Sequence, residues 1–222
     1  MSDPVVHSIP ALVHGEVLVV PAAEPGPSGA PLLFGCHGYG ETAHSQLDAL
    51  RRIPGSERFT LAAVQALHPF YKKTGEVVRS WMTREDRERA LADNIRYVGG
   101  TLAELRRVHP LDGTLVVAGF SQGVAMAWRT ATRAGWPCHG LIVLAGDVPA
   151  DAVDPAPLAL PAILLGRGTE DTWYTEAKER ADRSVLEQLD ADVTTHVFEG
   201  GHEWHPDFLA AAGDFLERFA AD

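Results

Sequence analysis

Short apolar runs recur along the chain, and glycine, proline or polar residues bound each of them. Runs of this length and composition are typical of buried β-strands. The predicted strands cover residues 16–20, 31–36, 59–64, 116–118, 140–145, 161–166 and 193–198.

Between several of these strands, apolar residues recur every three or four positions, which predicts amphipathic helices. The marking positions are Leu91, Ile95, Val98, Leu102 and Leu105 in the longest helix, Ala177, Ala181, Val185 and Leu189 in a later one, and Phe208, Ala212, Phe215 and Phe219 in the last. Thr83 with Asp86 gives the longest helix a start that resembles a capping box. Strands that alternate with helices predict an α/β fold, with a mostly parallel sheet and helices on both faces, because parallel neighbours need crossover connections.

The length of the chain limits what else it can contain. A chain of 222 residues suits a single α/β domain over residues 1–222. The sheet and helices use nearly all of these residues, so no large lid domain is expected. Residues 68–81, with a proline, a glycine and several aromatic residues, predict an irregular loop that is the one segment left to cover a site.

Charge and hydropathy exclude two classes of partner. The formal net charge of −11 repels polyanions, so nucleic acid is not an expected partner. No apolar run reaches the ~18 residues that span a bilayer, so no membrane span is expected. Residues 1–4 lack the basic and then apolar build of a signal peptide, and a cytoplasmic protein is predicted.

The stretch from Val116 to Trp128 carries the first candidate chemistry. An apolar run leads into Gly-Phe-Ser-Gln-Gly at residues 119–123, and helical spacing follows. This order predicts a sharp strand-to-helix turn with Ser121 at its apex, a nucleophile elbow, in which flanking side chains would collide with neighbouring backbone. The N–H of Gln122 then lies at a helix N-terminus, where the helix dipole favours an anion.

A glycine-rich turn at residues 37–42 follows the strand at 31–36. Such a turn leaves backbone N–H groups free and suits a second oxyanion donor, for which the N–H of Tyr39 is the best candidate. In that interpretation His37 packs under the loop as a structural residue. The alternative is a plain strand-to-helix turn without catalytic role.

Two further loops follow predicted strands and carry Asp171 and His202. The order Ser121, Asp171, His202 is that of a Ser-Asp-His triad on an α/β sheet. His205 competes for the role of base, and Glu170 and Asp147 compete for that of the acid. The two histidines are three residues apart on a glycine loop, not four apart on a helix, so neither a metal nor a cofactor is expected.

Four segments together resemble the phospholipase/carboxylesterase family of α/β-hydrolases, which includes the acyl-protein thioesterases. They are residues 36–40, 119–123, 166–171 and 200–204. The resemblance implies an α/β-hydrolase fold, Ser121 as nucleophile, His202 as base and Asp171 as orienting acid. It also implies an oxyanion hole formed by the N–H groups of Tyr39 and Gln122.

The resemblance also bears on the substrate pocket. Residues 80–81 look like the family's pocket-side tryptophan segment, which implies Trp81 as a pocket residue. The chain departs from the family pattern at Arg167 and at Trp173-Tyr174, where Val-Pro is customary. Trp81, Trp173 and Tyr174 are predicted to wall an acyl slot together with Phe70 and Tyr71, and the alternative is that these aromatic residues complete the core.

The function that these features favour is hydrolysis of small to medium carboxylic esters through an acyl-enzyme intermediate. An acyl-thioesterase or lysophospholipase of the same family is the alternative within the class. A non-catalytic binding protein on the same fold is the alternative from another class, since fold alone does not confer activity. The expected partner is a small-molecule ester, and the oligomeric state stays open, with a homodimer among the options.

Overall fold

The computed structural model describes residues 3–154 and 159–220. The strands are β1 (Val17–Val20), β2 (Ala30–Cys36), β3 (Thr60–Val64), β4 (His68–Tyr71), β5 (Val77–Ser80), β6 (Leu111–Phe120), β7 (Gly140–Leu144), β8 (Ala162–Gly168) and β9 (Val193–Phe198). The helices are α1 (Ala43–Arg51), α2 (Arg87–Val108), α3 (Gln122–Arg133), α4 (Ala150–Val153), α5 (Glu176–Gln188) and α6 (Pro206–Leu216).

Seven strands form the central sheet, in the order β1-β3-β2-β6-β7-β8-β9. All neighbours pair in parallel except β1, which runs antiparallel to β3 at one edge. Strands β2, β3 and β7 are buried along their whole length, as expected of parallel strands covered on both faces. The predicted parallel α/β sheet is therefore confirmed.

The register of the sheet shows which helices share a face. Gly35 and Gly140 pair with alternate residues of β6 and so point to the same side of the sheet. Gly35 packs against α1 and Gly140 against Phe215 of α6, whereas Gly119 packs against α3 on the opposite side. Helices thus cover both faces, as predicted, and no large lid domain lies within residues 3–154 and 159–220.

The interpretation of residues 68–81 as an irregular loop was wrong, because they form an antiparallel hairpin of β4 and β5. Pro69 favoured a loop in the sequence, but a proline is tolerated in a two-stranded ribbon at a position where its missing N–H is not needed. Gly75, at φ +85°, closes the turn, and its N–H donates to the Lys72 carbonyl. Arg79 joins the hairpin to the glycine-rich turn through a bridge with Glu41.

The longest predicted helix is confirmed as α2, with Val98, Leu102 and Leu105 buried, but its predicted start was wrong. The helix begins after Asp86, which has φ 46° and makes no side-chain cap. Thr83 instead accepts the N–H of Glu85 at 3.2 Å. Short polar side chains form such local bonds readily, and this one replaces the capping box that the spacing predicted.

Helix α5 is also confirmed, although three of the apolar residues that predicted it, Ala177, Ala181 and Val185, face solvent. Its inward face includes Glu179, whose Oε2 lies 2.6 Å from Nε of the buried Arg167 on β8. A buried guanidinium needs a counter-charge, which the inward face of α5 supplies beside the buried Leu186. No described helix is long and apolar enough to cross a membrane.

Candidate active site

Ser121 lies at a sharp turn between the end of β6 and the start of α3, at φ 52° and ψ −119°. Its N–H donates to the Leu144 carbonyl at 2.9 Å, and its own carbonyl accepts from Val124 at 3.0 Å. A Cβ on Gly119 would lie 2.7 Å from the Gly123 carbonyl oxygen, and one on Gly123 would overlap the Cys36 carbonyl. The surrounding backbone therefore leaves no room for a side chain at either glycine, as predicted.

Asp171 and His202 are joined directly, since His202 Nδ1 lies 2.8 Å from Asp171 Oδ2. The carboxylate of Asp171 is buried, and its Oδ1 accepts the N–H groups of Trp173 at 2.7 Å and Tyr174 at 2.9 Å. These bonds fix the carboxylate, so that Oδ2 is aimed at the imidazole. A carboxylate on Nδ1 favours the tautomer whose Nε2 is free to accept a proton.

The loops that carry these two residues are held together by their backbones. The N–H of Glu170 donates to the Gly200 carbonyl at 2.8 Å, and Gly168 packs so closely on Gly201 that a side chain would overlap its carbonyl. The absence of a side chain at Gly168 allows the loops to touch, which brings an aspartate after β8 to a histidine after β9.

The competing residues do not form an acid–base pair with each other or with His202 or Asp171, although Asp147 lines the same cavity as Ser121 and His202. His205 caps α6, where its Nδ1 accepts the Asp207 N–H at 3.2 Å, and its ring stacks on Phe198 at 4.9 Å. Glu170 is exposed, and Asp147 pairs with Lys178 at 3.1 Å. Among the candidates for acid and base, the structure brings only Asp171 and His202 into contact.

Ser121 and His202 both line a cavity of about 290 Å³. Trp173 and Tyr174 line it too, the first 74% exposed at the rim and the second buried in the wall. Trp81 does not line it and lies in the core, where its Nε1 donates to the His37 carbonyl at 2.8 Å. A larger cavity of about 570 Å³, between residues 10–13 and α2, holds none of the predicted site residues.

The other two aromatic residues predicted for the slot lie on the hairpin. Phe70 stacks on the ring of Tyr39 with centroids 4.9 Å apart, and Tyr71 is 76% exposed. Neither lines the cavity at Ser121. The alternative that the aromatics complete the core thus describes Trp81, while Phe70 packs over the glycine-rich turn and Tyr71 faces solvent.

The two predicted oxyanion donors lie in different surroundings. Gln122 is the first residue of α3, where an N–H has no acceptor within the helix. Its side chain is turned away and held, because Oε1 accepts the Trp81 N–H at 2.9 Å and Nε2 donates to the Met82 carbonyl at 3.2 Å. Across the described chain, the N–H of Tyr39 meets no acceptor within hydrogen-bond distance.

His37 is fully buried under the glycine-rich turn, the place predicted for it. Its Nε2 accepts the Ala66 N–H at 3.1 Å, so Nδ1 carries the proton and donates to the Gly38 carbonyl at 2.7 Å. Burial lowers the pKa of His37 to about 4, and the ring is therefore neutral at neutral pH.

Charged residues that sequence reasoning left out also line the cavity, among them Arg87, Arg129 and Lys178. Arg87 belongs to a run of alternating charges that is typical of a solvated helix face, so its pattern gave no signal. Arg129 is fully buried and is held by Asp151 through two bonds of 2.6 and 2.9 Å. Arg129 lies seven residues after Gln122, which is two turns along the same face of α3. This spacing is the sequence signal that could have identified Arg129 as a residue of the cavity.

The comparisons with known proteins agree with this fold. A family model described as phospholipase/carboxylesterase matches residues 20–220. None of the curated proteins matches the chain. Among solved structures, esterase PE8 has a TM-score of 0.74 at 24% identity and covers 93% of this chain and 99% of its own.

Two further solved structures have the same fold at lower identity. The Bacillus cereus carboxylesterase has a TM-score of 0.72 at 17% identity, over 92% of this chain and 94% of its own. Zea mays acyl-protein thioesterase 2 has a TM-score of 0.71 at 18% identity, over 94% and 100%. The family model spans most of the chain, which therefore belongs to the phospholipase/carboxylesterase family of α/β-hydrolases and is a carboxylic ester hydrolase.

Proposed function

We propose that the protein hydrolyses small to medium carboxylic esters through an acyl-enzyme intermediate on Ser121. The observation that carries this proposal is the 2.8 Å contact between His202 and Asp171, at a cavity that Ser121 also lines. A serine hydroxyl is a poor nucleophile at neutral pH and needs an adjacent base. An imidazole oriented by a buried carboxylate is such a base.

In the first half of the reaction, Ser121 Oγ attacks the ester carbonyl while His202 Nε2 takes the hydroxyl proton. The carbonyl oxygen becomes an oxyanion, which the N–H groups of Tyr39 and Gln122 stabilise. Collapse of the tetrahedral intermediate breaks the ester C–O bond, and His202 returns the proton to the leaving alcohol. Water then attacks the acyl-enzyme by the same steps, which releases the acid and restores Ser121.

The size of the cavity supports small to medium substrates. Its volume of about 290 Å³ lies just below the range of about 300–1,000 Å³ that is usual for ligand pockets. Tyr174 closes one wall, and the exposed Trp173 at the rim offers an apolar surface to a longer acyl group. The net charge of −11 opposes binding to anionic lipid aggregates.

A fluorophosphonate probe tests the serine mechanism and separates an enzyme from a binding protein on the same fold. We expect stoichiometric labelling of the native protein and none of Ser121→Ala, which should stay folded by circular dichroism and lose ester hydrolysis. Ser184→Ala, on the exposed face of α5, is the matched control and should label fully. Labelling or near-native turnover of a folded Ser121→Ala protein would refute the proposal.

A substrate series tests the size preference. The values of kcat/KM for acetyl, butyryl, octanoyl and palmitoyl esters of one leaving group should peak before palmitoyl. One thioester of the best acyl group, compared with its oxygen ester, decides between esterase and thioesterase activity. A maximum at palmitoyl would overturn the size preference and leave the serine mechanism untouched.

A further inference from the structure

A carboxylate with no assigned role lies inside the glycine-rich turn. Glu41 Oε2 accepts the N–H of Gly38 at 2.7 Å, and a Cβ on Gly38 would lie 3.0 Å from the same oxygen. Glu41 is partly buried, and burial raises the pKa of its carboxyl while the Gly38 N–H and the charge of His202 lower it. A carboxylate withdrawn from water is unfavourable unless it is hydrogen-bonded, so this contact compensates for its burial.

Backbone bonds fix the rest of the turn. The N–H of Gly40 donates to the Arg79 carbonyl at 2.9 Å, and the N–H of Arg79 donates to the Glu41 carbonyl at 3.0 Å. Gly40 has φ +73°, which suits glycine and reverses the chain between these bonds. The N–H groups on either side of Tyr39 are therefore both occupied, one by the Glu41 carboxylate and the other by the hairpin.

We propose that Glu41 is a positioning residue for the oxyanion hole. Its carboxylate holds the Gly38 peptide, and the adjoining Tyr39 N–H is thereby aimed at the position of the developing oxyanion. The same contact occupies the Gly38 N–H, so the turn presents one donor in one orientation. This inference rests on the proposed function, because it assumes that the Tyr39 N–H is a donor to the transition state.

His37 holds the other side of Gly38, since its Nδ1 donates to the Gly38 carbonyl at 2.7 Å, and the remaining side chains of the turn bond elsewhere. Thr42 is the N-cap of α1, where its Oγ1 accepts the Ser45 N–H at 3.4 Å. The ring of Tyr39 points outward and stacks on Phe70. Within residues 37–42, Glu41 is the side chain that accepts the Gly38 N–H, whereas His37 donates to the Gly38 carbonyl.

The test compares two variants of equal length that differ in the acceptor. Glu41→Gln keeps an oxygen that can accept the Gly38 N–H but loses the charge, and Glu41→Met loses both. For Glu41→Met we expect kcat to fall about tenfold to a hundredfold, with KM within about threefold of the native value. This fall in kcat is smaller than the ~10²–10³-fold loss that follows when a donor itself is removed. Glu41→Gln should keep kcat within about threefold of the native value.

Glu76→Met on the hairpin is the matched control, since it removes an exposed glutamate that pairs only with Lys72 among the described residues. It should leave kcat and KM unchanged. Retention of kcat by Glu41→Met overturns the inference, as does an equal loss in both Glu41 variants, which would assign the effect to charge acting on His202. Failure of Glu41→Met to fold where Glu41→Gln folds would make Glu41 a structural residue and overturn it too.

The outcome for Ser121→Ala separates this inference from the proposed function. An inactive Ser121→Ala protein together with fully active Glu41 variants rejects only the role of Glu41. Activity in a folded Ser121→Ala protein rejects the proposed function itself, whatever the Glu41 variants do.

Discussion

His202 and Asp171 meet at 2.8 Å through Nδ1 and Oδ2, although 31 positions separate them in the chain. Replacing Asp171 by asparagine keeps the size of the side chain but places an amide against Nδ1, which favours the wrong imidazole tautomer. We therefore expect Asp171→Asn to lower kcat by roughly 10³–10⁴-fold with little change in folding. Steady-state hydrolysis of a short ester measures the loss.

Glu170→Gln is the control for that experiment, because Glu170 is exposed and adjacent to Asp171. Its kcat should match that of the native protein. A large loss of kcat in Glu170→Gln, with full activity in Asp171→Asn, would show that Glu170 and not Asp171 is the acid.

The two histidines of the last loop should respond oppositely to truncation. His202→Ala should remove most activity, because the group that we propose as the acceptor of the Ser121 proton is then missing. His205→Ala should keep the activity. Since His205 caps α6, its loss should lower the free energy of unfolding by about 0.5–2 kcal/mol, measured in urea. The opposite pattern of activity would identify His205 as the base.

Gly123 tests whether the elbow depends on the absence of a side chain. A Cβ there would overlap the Cys36 carbonyl in β2, so Gly123→Ala should displace α3 from the sheet and lower the free energy of unfolding by several kcal/mol, about 3 or more. Gly100→Ala, on the exposed side of α2 with no atom within 4 Å of the new Cβ, should instead add about 0.5–1 kcal/mol. Equal stability of the two variants would contradict this account.

His37 makes stability depend on pH. Its pKa falls from 6.5 to about 4 on folding, so the unfolded chain takes up a proton at higher pH than the native protein does. The stability from the neutral ring is complete above pH 6.5 and is lost as the pH falls towards 4, by about 3 kcal/mol in total.

His37→Gln provides the comparison, because a glutamine can still accept the Ala66 N–H and does not titrate. Urea unfolding at pH 8, 6, 5 and 4 should show a smaller loss of stability in His37→Gln than in the native protein. Parallel losses across this range would show that His37 does not carry the acid sensitivity.

The parts of the molecule that local sequence determines were predicted well. Central strands are buried on both faces, so they appear in the sequence as unbroken apolar runs. The glycines beside Ser121 are required by steric contacts within one turn. The family and the α/β-hydrolase fold followed from these features and are confirmed. A single domain over residues 1–222 and a cytoplasmic location stay predictions.

The features that were missed depend on partners distant in sequence. The hairpin at residues 68–80 is stabilised through Arg79 and Glu41, which no local pattern reveals. Helix α5 buries Glu179, which pairs with Arg167, and Leu186, so its small apolar residues did not indicate its buried side. Trp81 lies in the core, where its Nε1 donates to the His37 carbonyl and its own carbonyl accepts from Asn94 Nδ2 at 2.5 Å.

The backbone angles of Ser121 lower the stability of the protein at the position that its proposed activity requires. A non-glycine residue at φ 52° and ψ −119° costs of the order of 1–3 kcal/mol, and glycine would relieve that strain while removing the hydroxyl that we propose as the nucleophile. The proposed nucleophile is thus kept at the expense of thermal resistance. Selection of variants for heat tolerance alone would favour inactive elbows, so directed evolution of this enzyme has to screen hydrolysis in every round.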